Sequence, residues 1–139
     1  MPKSEIFFDD IIVQYRSEFI VSVTERLNSS DDLIRDMIKD KNCGPALTQF
    51  LLHIHSIKGQ GGTFGFGTVT KIAQKLEDYV ESVPKKSNKK MNDIQCFVNS
   101  IRKIIEKGVD PDENEQKDIF ATLPLETKHI NYFGGFYKK

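Results

Sequence analysis

The strongest constraint on this chain is the period of its apolar residues. Between Ser4 and Lys41, Ile12, Tyr15, Phe19, Val23, Leu27, Ile34 and Met37 or Ile38 recur at spacings of three, four or seven, which lays them along one face of a helix and excludes strand alternation. The same period returns three times. Ala46, Leu47, Phe50, Leu51, Ile54, Ile57, Gly61 and Phe64 mark a second helix over about Pro45 to Phe64, and Val69, Ile72, Ala73, Leu76, Val80 and Val83 a third over Thr68 to Val83. Met91, Ile94, Phe97 or Val98, Ile101, Ile104 and Ile105 mark a fourth, from Met91 to Lys107.

Glycine and proline punctuate these stripes. Lys41-Asn42-Cys43-Gly44-Pro45 is a stop and restart, Phe64-Gly65-Phe66-Gly67 forces a turn, Pro84 ends the third helix and Gly108 the fourth. Lys85-Lys86-Ser87-Asn88-Lys89-Lys90 reads as a solvated linker. Asn28-Ser29-Ser30-Asp31-Asp32 offers capping residues that could divide the first stripe into two helices, although the apolar phase continues across it. In Asp110-Pro111-Asp112-Glu113, Asp110 reads as the N-cap of a short helix running through Ile119, Phe120 and Leu123 and closed by Pro124.

The expected architecture is therefore all-α: an antiparallel four-helix bundle with an additional short C-terminal helix, over residues 1–124. Residues 125–139 form a tail whose Tyr132, Phe133, Phe136 and Tyr137 flank Gly134-Gly135, and back-packing on the bundle or disorder is the expectation for it.

Composition narrows the function classes. A chain of 139 residues fits one domain, and 20 basic residues against 20 acidic ones leave no net field to draw nucleic acid or an anionic membrane. Recognition must come from a local surface. Cys43 and Cys96 lack metal or redox spacing and read as reduced thiols, which suggests a cytoplasmic protein, and a monomer is expected. The apolar start, Ile6-Phe7-Phe8 and Ile11-Ile12-Val13, is broken by Asp9 and Asp10 and reads as neither signal peptide nor membrane span.

Chemistry is concentrated in His53-Ile54-His55-Ser56-Ile57-Lys58-Gly59-Gln60-Gly61-Gly62-Thr63-Phe64-Gly65-Phe66-Gly67. A phosphate-cradling loop would need a preceding strand and a third glycine where Phe64 stands. A metal site on His53 and His55 fails because residues two apart on a helix point about 200° from each other. Ser56 beside a histidine has neither a nucleophile elbow nor an obvious third partner.

Helical spacing gives a fourth reading. Gly59 and Gly62 follow His55 at i+4 and i+7, so the row beside the imidazole is bare. Ile54 and Ile57 face the core, which turns His55 to the flank, and Lys58 at i+3 can bring an ammonium group near anything negative on the ring. Gly61, on the core side, reads as a close-packing glycine. Such a flank suits an imidazole that accepts and donates a phosphoryl group while another protein's active site approaches. A second residue should hold the other ring nitrogen, and Glu77, on the row Thr70, Gln74, Glu77, Glu81 of the next helix, is the candidate. Two blander alternatives stand beside this one: His55 as a satisfied surface histidine, and Glu77 as an exposed acid paired with Lys71 or Lys75. His53 and His129 are given no role.

His55-Ser-Ile-Lys58-Gly59-Gln-Gly-Gly62-Thr-Phe-Gly65-Phe resembles the H-x-x-K-G signature of histidine-containing phosphotransfer (HPt) domains, and is most similar to the N-terminal phosphotransfer domain of chemotaxis-type histidine kinases. The likeness continues into Lys75-Leu76-Glu77. It implies an HPt-type bundle in which His55 is the phosphoacceptor, Lys58 its electrostatic neighbour and Glu77 the partner of its ring. Chemotaxis-type members often carry a second histidine where this chain has Gln74. The resemblance further implies a phosphorelay carrier working with a response-regulator receiver domain, a histidine kinase, or both, without kinase activity or a cofactor of its own. Mg²⁺ is expected only in the receiver. No ATP-binding, dimerisation or coupling region is read in the sequence, so a stand-alone carrier and a segment of something larger are both consistent with it. Docking is expected along Gly59, Gly62, Leu52 and Phe66, with Leu51 and Phe64 where exposed. A receiver-binding adaptor of the same fold, without transfer, is the alternative.

Overall fold

The computed structural model describes residues 3–40, 43–83 and 86–125, and every regular element among them is helical. The helices are α1 (Lys3–Lys39), α2 (Gly44–Gly61), α3 (Gly67–Ser82), α4 (Asn88–Lys107) and α5 (Glu113–Thr122). Helices α1 to α4 close a ring in which α2 packs on α1 and α3, and α4 on α3 and α1. Among the described residues, no helix is long and apolar enough to cross a membrane.

The predicted stripes meet in one core. Val23, Leu27, Phe50, Ile54, Ile57, Val69, Ile72, Leu76, Ile94, Val98 and Ile101 are wholly buried, and dense apolar packing of this kind supplies most of a helical bundle's stability. The stripe of α1 outruns its partners. Ile12 and Tyr15 stay about half exposed and burial begins at Phe19, because α1 has 37 residues against 18 in α2 and 20 in α4. At about 1.5 Å per residue, its first turns extend past the end of its neighbours.

One open helix boundary closes and one expected helix cap is corrected. Helix α1 runs unbroken through Asn28–Asp32, because those polar groups bond elsewhere than to their own backbone amides. Asn28 and Asp31 accept from Arg102 of α4 at 3.0 and 2.5 Å, Asp31 also accepts from Gln95 at 3.0 Å, and buried Ser30 donates to the Arg26 carbonyl at 2.8 Å. Asp110 does not cap α5. Asp112 does, in a reciprocal box with Glu115 (2.8 and 3.0 Å), while Asp110 crosses to the start of α3 and accepts from the Thr68 amide at 3.2 Å and its hydroxyl at 3.1 Å.

The lysine-rich linker is shorter than its composition suggests. Ser87 caps α4 by accepting from the Lys90 amide at 3.0 Å, so Lys89 and Lys90 are already helical. Lys90 is only 5% exposed, and burial pushes its ammonium pKa down. Pro84 and Lys85, together with His129 and the aromatic tail residues, lie outside the described residues.

Candidate functional site

The α2–α3 hairpin positions the site. After Gly61 the chain tightens into one 3-10 turn (Gly62–Phe64) and reverses at Gly65, whose φ of 85° is a left-handed value that favours glycine. The hairpin closes tightly at Gly61, where a Cβ would lie 2.5 Å from Thr70 Oγ1 and 3.0 Å from the Phe66 carbonyl oxygen. This close approach lets the Thr70 hydroxyl donate to the Lys58 carbonyl at 2.8 Å and accept from the Gly62 amide at 2.9 Å. Thr70 thus ties the end of α2 to the flank of α3. Its clamping role is not legible in the sequence, where a small residue at Gly61 facing the next helix is the one available signal.

That registration brings His55 opposite Glu77. His55 is 69% exposed in its side chain, while Ile54 and Ile57 on either side of it are wholly buried. Its Nδ1 lies 3.3 Å from Glu77 Oε2. An ionised carboxylate only accepts, so the neutral ring must carry its hydrogen on Nδ1, leaving the Nε2 lone pair free. The other carboxylate oxygen, Oε1, accepts from Lys58 Nζ at 2.6 Å, in a pair whose side chains are about one-fifth exposed. Lys58 also donates to Gln74 Oε1 at 3.1 Å, and Gln74 Nε2 donates in turn to Asp78 Oδ1 at 3.0 Å. At rest, Lys58 is therefore folded across onto α3. Glu77 pairs with it and with His55, which supersedes the alternative partners Lys71 and Lys75.

The bare row is open in space as well as in sequence. Among the described residues, a Cβ on Gly59 would meet nothing within 4 Å, and one on Gly62 only Thr70 Oγ1 at 3.9 Å. Leu52, one turn before His55, is 63% exposed. Phe66 is not available for docking: it is wholly buried, with its ring stacked 5.4 Å from Phe19 and covered by the Arg16 guanidinium at 5.0 Å. Phe64 also stacks on Phe19, at 4.9 Å, and Phe64 and Leu51 are partly buried against the core.

His53 faces the opposite way. Its Nδ1 lies 3.1 Å from Arg26 Nη1 on α1, and since a guanidinium only donates, this Nδ1 must accept. Burial, reinforced by the Arg26 charge, holds the His53 pKa below 6.5. Among the described residues Arg26 Nε is buried with no hydrogen-bond partner, while Nη1 of the same guanidinium has His53 as its acceptor. The two histidines thus address different helices. Among the described residues, no group of three or more His, Cys, Asp or Glu side chains stands together to hold a metal ion.

The arrangement presents one exposed nucleophilic nitrogen, oriented from behind by a carboxylate whose charge is offset by lysine, beside a strip clear of side chains. The family model described as the Hpt domain matches residues 14–107, which contain all of these groups. No solved structure matches the chain.

Proposed function

The chain belongs to the Hpt domain family, whose members are phosphotransfer modules of phosphorelays, and on that footing we propose that it is a phosphocarrier whose His55 exchanges a phosphoryl group with a receiver-domain aspartate. The observation that carries this reading is the 3.3 Å contact between His55 Nδ1 and Glu77 Oε2, which leaves Nε2 on the open flank. In the forward step the Nε2 lone pair attacks the phosphorus of an aspartyl phosphate in line. The P–O bond to the aspartate breaks and its electrons return to that carboxylate. The ring becomes cationic, and Glu77 stabilises it through the Nδ1 hydrogen. Lys58, paired with Oε1, keeps the Glu77 charge from repelling the incoming phosphoryl oxygens. The reverse step returns the group to an aspartate, and a histidine kinase is a second possible donor.

In this reading the receiver contributes the Mg²⁺ and the acidic pocket, while this chain contributes nucleophile and docking face and has no turnover alone. Gly59 and Gly62 admit the partner and Leu52 contacts it. The likeness of residues 55–59 and 62–66 to chemotaxis-type kinases is part of the same proposal. So is a monomeric carrier in the cytoplasm, where the free thiols of Cys43 and Cys96 stay reduced.

The test is transfer from a phosphorylated receiver to the purified chain. Acid-labile label should appear on wild type and be absent from His55→Gln. Label retained by His55→Gln overturns the proposal, and receiver binding without transfer in either direction assigns the chain an adaptor role instead.

A further inference from the structure

The carboxylate of Glu77 serves two donors, and their division between its oxygens needs a cause. Lys58 Nζ stands at 2.6 Å from Oε1 and His55 Nδ1 at 3.3 Å from Oε2. An ammonium group has three hydrogens on a flexible stem, so nothing in the ion pair itself keeps it from sliding between the oxygens and displacing the weaker imidazole donor. Lys58 is held to one side by its second bond, to Gln74 Oε1 at 3.1 Å. That bond exists only while the Gln74 amide presents oxygen to the lysine, and a primary amide can turn over.

Asp78 removes that freedom. Its Oδ1 accepts from Gln74 Nε2 at 3.0 Å, one helical turn further along α3, so the amide lies between a cation at its oxygen end and an anion at its nitrogen end. Turning it over would set NH₂ against the ammonium and oxygen against the carboxylate, unfavourable at both ends. We propose that Asp78 is a positioning residue for His55: by fixing the Gln74 amide it keeps Lys58 on Oε1 and reserves Oε2 for the Nδ1 hydrogen, so that Nε2 is the bare nitrogen. The sequence gives no hint of this, because Asp78 reads as one more exposed acid on a helix surface.

The proposal rests on His55 being the phosphoacceptor, but its first readout does not. The ring ¹⁵N shifts of His55, measured where the ring is neutral, report the tautomer with no transfer reaction. Asp78→Ala should move the ring from the Nδ1–H form toward a mixture containing Nε2–H, and should slow phosphoryl transfer roughly 1.5- to twofold, the scale of an exposed i,i+4 hydrogen-bonded pair. Asp78→Asn, which keeps an acceptor oxygen but can itself turn over and donate, should restore both in part. Gln74→Leu, which removes the link, should shift the tautomer at least as far as Asp78→Ala. A wild-type tautomer in Asp78→Ala overturns the proposal, as does equal slowing in Asp78→Ala and Asp78→Asn with no tautomer change, which would mark a general charge effect. Absence of transfer to wild type, with the tautomer shift intact, would count against the carrier function and leave the positioning role standing.

Discussion

His53 and His55 sit two residues apart on one helix, and the structure uses them in opposite senses. His53 turns to α1, where a guanidinium 3.1 Å from Nδ1 makes that nitrogen an acceptor. His55 turns to α3, where a carboxylate 3.3 Å from Nδ1 makes the same atom a donor. One ring is half-buried with its pKa pushed down, while the other stands in solvent with Nε2 bare. The side chain is the same, so the difference comes entirely from which neighbouring helix each ring meets and which charge that helix carries.

The largest expected break in this comparison is chemical. His55→Gln should abolish phosphorylation, while His53→Gln should leave the transfer rate within about twofold, since His53 touches nothing on the reacting flank; transfer assays on both variants check this. Removing only the orienting group is milder. Glu77→Ala should slow transfer roughly tenfold or more, the scale set by losing a charge-assisted hydrogen bond, with the far-ultraviolet circular dichroism unchanged.

The same division of α2 into two faces runs on into its glycines. Gly61→Ala would force a Cβ against Thr70 and the Phe66 carbonyl, and should cost about 1–3 kcal/mol in denaturant unfolding. Gly59→Ala meets open space in a helix and should instead gain up to about 1 kcal/mol. If the gap serves the partner, Gly59→Leu should slow transfer from a receiver while leaving the His55 tautomer unchanged.

The smallest effect is a pH dependence. Because the folded-state pKa of His53 lies below its unfolded value of 6.5, the unfolded chain binds more protons between those two values. The His53 contribution to stability is therefore full above 6.5 and declines as pH falls toward the folded pKa. Unfolding free energies across that range should fall less steeply in His53→Gln than in wild type.

Periodicity made the fold legible, because a repeat of three and four residues identifies the buried face of each helix whatever it packs against. It could not say where a partner ends, which is why Ile12 and Tyr15 belong to the stripe but not to the core. Asp110 reads as a cap, and the Asn28–Asp32 segment as an open boundary, for a related reason: local capping rules cannot see that Arg102, Gln95 or Thr68, far away in sequence, will claim their oxygens. Phe66 reads as an exposed turn residue until Phe19 and Arg16 close over it. At the candidate site, hairpin register makes Glu77 a candidate to face His55 and leaves Lys71 or Lys75 open as its partners, and the resemblance to HPt domains points to the facing pair. The attachment of Lys58 to α3 and the chain through Gln74 to Asp78 are not legible in this way, since they depend on side-chain rotamers that spacing leaves open.

The central claim is that Glu77 fixes His55 with Nδ1 protonated, so that Nε2 takes the phosphoryl group. Nitrogen-15 NMR of the His55 ring before and after phosphorylation tests it most directly. The expected result is an Nδ1–H tautomer in the free protein and phosphorus bonded to Nε2 of His55 afterwards. An Nε2–H ring at rest, or phosphorus found on Nδ1 or on His53, would contradict it.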